Sequence, residues 1–226
     1  MGLPKRGVPM IYSPSRRFVF IHIPKTGGTA LALAFEARAR ADDVLVGDTP
    51  KAVQRRGRQR ALRPAGRLWK HSTLADLDGM LPALDGLFIL TLVRNPWDRM
   101  VSYYHWLRGQ RFAHPAVGLA KTHDFSGFLN HPLTRTSISL WPYTAYMRDA
   151  GGAERCSLYA RLERLDDDLA PFEAHLGFRL TPVARANASA RPADWRPAYS
   201  DADAGLIADL CAVDIARFGY AFDELA

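Results

Sequence analysis

One junction constrains this chain more than any other. The run Arg17 to Ile23 (RFVFIHI) is β-branched and aromatic, Pro24 stops it, and Gly27-Gly28 lead directly into TALALAFEARARA, a stretch of strong helix formers. That pattern predicts a buried strand, a glycine turn and a helix from Thr29 to about Ala41. It recurs: Leu87 to Val93 reads as a second buried strand, and Asn95-Pro96-Trp97-Asp98 combines a capping Asn with Pro at the first helical position, which predicts a helix from Pro96 to about Arg108. Further on, Leu68 to Lys70 reads as a short strand, Ser72 or Thr73 as the cap of a helix to Leu81, Cys156 to Ala160 as a strand and Asp166 to His175 as a helix. Arg179 to Tyr199 reads as a loop and Asp201 to Arg217 as a final helix; Gly109 to Gly152 shows no readable period. Strands alternating with helices predict an α/β fold, a single domain over residues 1–226 with a mainly parallel sheet flanked by helices.

Composition excludes several classes. Hydrophobic residues make up 48% of the 226, with Gly 17 and Pro 15, which is ordinary for a globular chain and wrong for a collagen-like or disordered one. The apolar runs fall well short of the ~18 residues needed to cross a bilayer. MGLPKRGVPMIYSPSRRF has no apolar core of an export signal, so the expected location is cytoplasmic. Cys156 and Cys211 are then expected as reduced thiols. The formal charge of +7 lies wholly in Lys51 to Arg67, which holds seven basic residues and no acid. Two readings of this segment stand, a solvated surface or a docking face for a polyanion. The absence of interleaved aromatics argues against nucleic acid.

The chemistry concentrates at the two strand ends. In Ile23-Pro24-Lys25-Thr26-Gly27-Gly28-Thr29 the glycines let backbone amides curl round an oxyanion, the helix start adds free N–H groups, and Lys25 adds a full positive charge. The order differs from an ATP-binding P-loop, where the Lys follows the glycines. Arg94 closes the second strand, where open α/β sheets bind ligands, and its guanidinium can fork onto a phosphate. Ser102 lies on a face of the following helix apart from Trp97 and Met100. Asp98 and Arg99 read as cap and local ion pair, and His22 as a hydrogen-bonded core residue. Tyr103, Trp106, Trp141, Tyr143 and Tyr146 are either core or the wall of an acceptor site. No Cys, His or acid spacing suggests a metal.

The pair IPKTGGT and VRNPWDRMVSYY resembles the two nucleotide motifs of sulfotransferases that use 3′-phosphoadenosine 5′-phosphosulfate (PAPS), most closely the carbohydrate branch that includes the heparan sulfate 2-O-sulfotransferases and their bacterial relatives. A weaker likeness joins Asn187-Ala188-Ser189 and Asp214 to Tyr220. The resemblance implies a P-loop-like sulfotransferase architecture, with Lys25, Thr26, Gly27, Gly28 and Thr29 on the 5′-phosphosulfate and Arg94 and Ser102 on the 3′-phosphate. Asn187, Ser189 and Arg191 belong to a loop that either closes over the 3′ side or is a plain connector. The same likeness makes His71, in Lys70-His71-Ser72-Thr73, the general base and Lys25 the stabiliser of the leaving phosphate. PAPS is then the co-substrate, without metal, and the acceptor a hydroxyl, first a carbohydrate and with the basic segment an anionic one. The alternatives are a P-loop-type small-molecule kinase, disfavoured by the loop order, and a non-catalytic polyanion-binding module. The sequence leaves the oligomeric state open.

Overall fold

In a computed structural model, residues 10–184 and 191–223 are described. In chain order the elements are β1 (Met10–Ser13), β2 (Phe18–Ile21), α1 (Gly28–Glu36), β3 (Val44–Val46), α2 (Pro50–Gln54), β4 (Phe88–Val93), α3 (Pro96–Arg108), α4 (Pro115–Thr122), α5 (Phe125–Asn130) and α6 (Pro132–Leu140). They continue with β5 (Leu158–Arg161), α7 (Leu165–Asp168), α8 (Ala170–Leu176), α9 (Asp201–Leu210) and α10 (Ala212–Phe218). The contacts group the chain into two compact units, Met1–Val93 with Thr144–Asn187 and Arg94–Tyr143 with Ala188–Ala226.

The first unit carries a five-stranded sheet in the order β3-β1-β2-β4-β5. All four residues of β2 are buried, as expected for a central strand covered on both faces. β2 pairs with β4 in parallel, Ile21 opposite Thr91, and β4 pairs with β5 in parallel. Both β2 and β4 therefore present their C-terminal ends at one edge, where Thr91 Oγ1 donates to the Ile21 carbonyl at 2.8 Å. The α/β fold with a mainly parallel sheet is as read from the sequence, and the sheet is mixed because β1 runs against its neighbours: it pairs antiparallel with both β2 and β3. Ile11, Phe18, Phe20, Leu31, Phe35, Leu90, Leu92 and Phe172 form the core of this unit, with Phe18 edge-on to both Phe35 and Phe172 at 5.0 Å.

The structure corrects several expected elements. α1 stops at Glu36, where Lys51 donates to the last carbonyl, a favourable place for a cation. The chain beyond it is held by Arg16 on the Arg38 carbonyl (2.8 Å), Arg55 on that of Arg40 (2.7 Å) and Arg58 on that of Ala41 (2.6 Å). Part of the basic segment thus has a structural task. Leu68 to Lys70 is not a strand, and only a 3₁₀ turn at Ala75–Leu77 replaces the helix expected to Leu81. Thr73 does cap it, in a reciprocal exchange with Asp76.

In the second unit Asn95 Oδ1 accepts the Trp97 amide at 3.1 Å, and α3 runs over the expected residues. Trp97 packs against Trp195 and Phe222, and its indole donates to the Ala204 carbonyl. The final helix is broken at Cys211 into α9 and α10. Neither cysteine is in a disulfide, and burial pushes the Cys211 thiol up to about 12.

Asp214 is buried and accepts the Tyr143 amide with both oxygens at 3.1 Å. Burial raises its pKa to about 6, partly offset by that amide and by Arg99 and Arg217. The folded chain therefore binds more protons than the unfolded one between about pH 4 and 6, so this group takes stability away as pH rises through that window. Asp214→Asn keeps an acceptor and removes the titration. Relative to wild type, the variant is expected to gain about 1–2 kcal/mol between pH 4 and 7, read by urea unfolding at both pH values; a constant difference between the two would contradict it.

Candidate active site

The loop after β2 is folded by two left-handed residues, Lys25 at φ +68° and Gly27 at φ +82°. Only glycine takes that conformation without steric cost, so the lysine is held there by its surroundings. Thr26, fully buried, donates from Oγ1 to the Ile23 carbonyl at 2.9 Å and ties the loop shut. Gly27 is the N-cap of α1 and offers no side-chain cap, so the first amides of α1 are left to other partners. Left-handed residues at Lys25 and Gly27, directly before a helix start, are the kind of loop whose N–H groups suit an anion. Gly28 is required by space as well: a Cβ there would lie 2.2 Å from Cδ2 of the buried His22 ring.

His71 belongs to the same unit. Its Nδ1 donates to the His22 carbonyl oxygen at 3.0 Å, which places the lone pair of the neutral ring on Nε2. The ring also lies 4.6 Å from the His22 ring and edge-on to Trp69 at 5.1 Å. The turn that carries it is rigid: buried Ser72 accepts the Trp69 amide at 2.9 Å and donates to the Arg67 carbonyl at 2.7 Å. Arg67, Trp69 and His71, at every second position, form a ladder, the Arg67 guanidinium 4.8 Å above the Trp69 ring. Trp69 is 37% exposed.

In the second unit Arg94 clamps Asp98, Nε at 2.7 Å and Nη2 at 2.5 Å, and Arg191 joins the same carboxylate from the other side. Asp98 is thus a bridge between two arginines, and the capping task belongs to Asn95. Burial first, and then Arg191 and Arg108, lower the pKa of His105 on the same helix. Ser102 lies one turn beyond Asp98 on α3 and is buried rather than exposed, because Asp98 and Ser102 share a helix face. Tyr143 is fully buried, with its hydroxyl on the Arg94 carbonyl, while Trp141 is exposed. Asn187 and Ser189 lie outside the described residues. Among the described residues no cluster of His, Cys, Asp or Glu could hold a metal ion.

Sequence reading missed the role of Trp69 and Arg67, whose only signal was their alternation with His71. It read His22 as a hydrogen-bonded core residue inside the strand, and His22 is indeed buried and bonded to the Lys70 backbone. His22 lies just past the end of β2, and its Nδ1 has no partner among the described residues.

Residues 8–188 match the sulfotransferase family. The chain belongs to that family. It matches no curated protein and no solved structure. Membership makes sulfuryl transfer its general chemistry, and no described helix is long and apolar enough to cross a membrane.

Proposed function

We propose that this sulfotransferase moves the sulfuryl group of PAPS onto a hydroxyl of an anionic saccharide. The observation that carries the reading is the loop from Lys25 to Thr29, which puts a lysine and two left-handed residues directly before the start of α1, in a chain of the sulfotransferase family. In this reading Lys25 and the amides from Thr26 to Thr29 hold the 5′-phosphosulfate. Arg94, Ser102 and Arg191 hold the 3′-phosphate; Asn187 and Ser189 are assigned to the same group.

The acceptor oxygen attacks sulfur while its proton passes to Nε2 of His71, and the bond from sulfur to the bridging phosphate oxygen breaks. Adenosine 3′,5′-bisphosphate leaves with the electron pair. Negative charge grows on that bridging oxygen, where Lys25 and the loop amides act. Arg67 stacked on exposed Trp69 beside His71 supports the anionic saccharide: an aromatic face suits a sugar ring and the guanidinium suits a carboxylate or sulfate. The cations of Lys51 to Arg67 that do not hold carbonyls would extend this attraction, which salt should weaken.

Arg94→Ala separates this reading from a structural role for Arg94. By calorimetry it is expected to weaken adenosine 3′,5′-bisphosphate by roughly tenfold or more, and adenosine 5′-phosphate little, because only the former carries the group on which Arg94 forks. Equal weakening of both ligands would mean that Arg94 only organises α3.

A further inference from the structure

His22 is the buried titratable residue that the mechanism above does not use. Its ring is surrounded on three sides by the site: Gly28 has no room for a Cβ because of it, its carbonyl orients His71, and its own ring packs on that of His71. It makes a hydrogen bond with the backbone of Lys70, and since Nδ1 is the atom without a partner, Nε2–H is the donor. The neutral ring therefore keeps a buried lone pair on Nδ1 that nothing satisfies among the described residues. An apolar side chain would fill the position without leaving such an atom, so a polar ring at this position calls for an explanation.

The charges that bear on His22 are Lys70, Lys25 and His71, all cationic when protonated; Lys70 in turn pairs with Asp48 at 3.6 Å. Burial first, and then these cations, hold His22 well below the usual imidazole range, so it stays neutral while His71 changes charge. Cations around a general base oppose the imidazolium that forms when it takes a proton. A neutral neighbour with an unused lone pair opposes them.

We propose that His22 is a positioning residue for His71: its carbonyl fixes the Nδ1–H tautomer, and its unpartnered Nδ1 favours the charge that His71 acquires with the acceptor's proton. The inference rests on His71 as the base. The proton ends on His71 Nε2, while the Nδ1–H bond to the His22 carbonyl persists and His22 exchanges no proton.

The test is a pH titration of the histidine Cε1–H resonances by NMR on the full chain, with His71 assigned by its loss in His71→Ala and His22 by its loss in the His22 variants. His22→Leu removes both ring nitrogens, whereas His22→Gln keeps a donor where Nε2 stands and an acceptor in Oε1. Without the lone pair the imidazolium is less stable, so the His71 midpoint is expected to fall by about half a unit or more in His22→Leu and by less in His22→Gln. The ascending limb of the pH–rate profile should move to lower pH with it, while adenosine 3′,5′-bisphosphate affinity stays within about twofold. In wild type the His22 resonance should not titrate between pH 5 and 8. An unchanged His71 midpoint in His22→Leu, or a wild-type His22 that titrates near free imidazole, overturns the proposal. The midpoints need no turnover, so loss of the base assignment, read from an active His71→Ala enzyme, is distinguishable from loss of this one.

Discussion

Lys25→Ala is expected to lower kcat by about 10²–10³, the range seen when a preorganised partner of a developing oxyanion is removed. The charge on Lys25 acts most strongly once the sulfur–oxygen bond is breaking, so the loss should fall on kcat more than on donor KM. Its backbone sharpens the prediction. Lys25 is one of two non-glycine residues with positive φ among the described residues, and a side chain there costs about 1 kcal/mol or more relative to glycine. Lys25→Gly should therefore raise stability by up to about 1 kcal/mol while losing the same activity as Lys25→Ala. Steady-state kinetics with thermal unfolding on both variants checks the pair. Activity within about threefold of wild type in either would remove Lys25 from the mechanism.

His71→Ala is expected to lower transfer by about 10²–10⁴ while adenosine 3′,5′-bisphosphate still binds, because a base touches the acceptor's proton and not the nucleotide. Wild-type activity should rise with pH as Nε2 loses its proton, and that ascending limb should be absent from the residual activity of the variant. Ser72→Ala offers a milder companion: it frees the Arg67–Ser72 turn and should cost part of the activity without touching the base itself. A His71→Ala enzyme with its ascending limb intact would assign the proton transfer elsewhere.

What the sequence revealed follows the strength of local signals. Phe18 to Ile21, Gly27-Gly28 and Asn95-Pro96 each carry a strand, turn or cap signal that tertiary contacts have no reason to override, and α3 matches to the residue. β1 and β3, with four and three residues, are too short to show a period and are defined by their partners. The stretch from Gly109 to Gly152 was opaque for a similar reason. It folds into helices of six to nine residues, two of them opened by His-Pro pairs in which His114 and His131 accept the Ala116 and Leu133 amides. Those caps are unlike the Ser, Thr, Asp and Asn that mark most helix starts.

The candidate site divides in the same way. Lys25 and the glycines stand in one continuous motif, and Arg94 ends a readable strand. The Arg94–Asp98–Arg191 cluster joins residues far apart in sequence, and the Arg67–Trp69–His71 ladder depends on a turn set by Ser72. Neither has a local period. The unpartnered Nδ1 of His22 is visible only once packing shows which atoms it meets.

The central claim is that this chain is built around PAPS, and calorimetric competition on the full protein tests it most directly. Adenosine 3′,5′-bisphosphate is expected to bind at least tenfold more tightly than adenosine 5′-phosphate, without added metal, because the proposed function assigns Arg94 and Arg191 to a 3′-phosphate that the latter lacks. ATP with Mg²⁺ should displace it poorly. If ATP with Mg²⁺ binds more tightly than the bisphosphate, the loop at Lys25 serves phosphoryl transfer, and PAPS is not the donor this chain is built to hold.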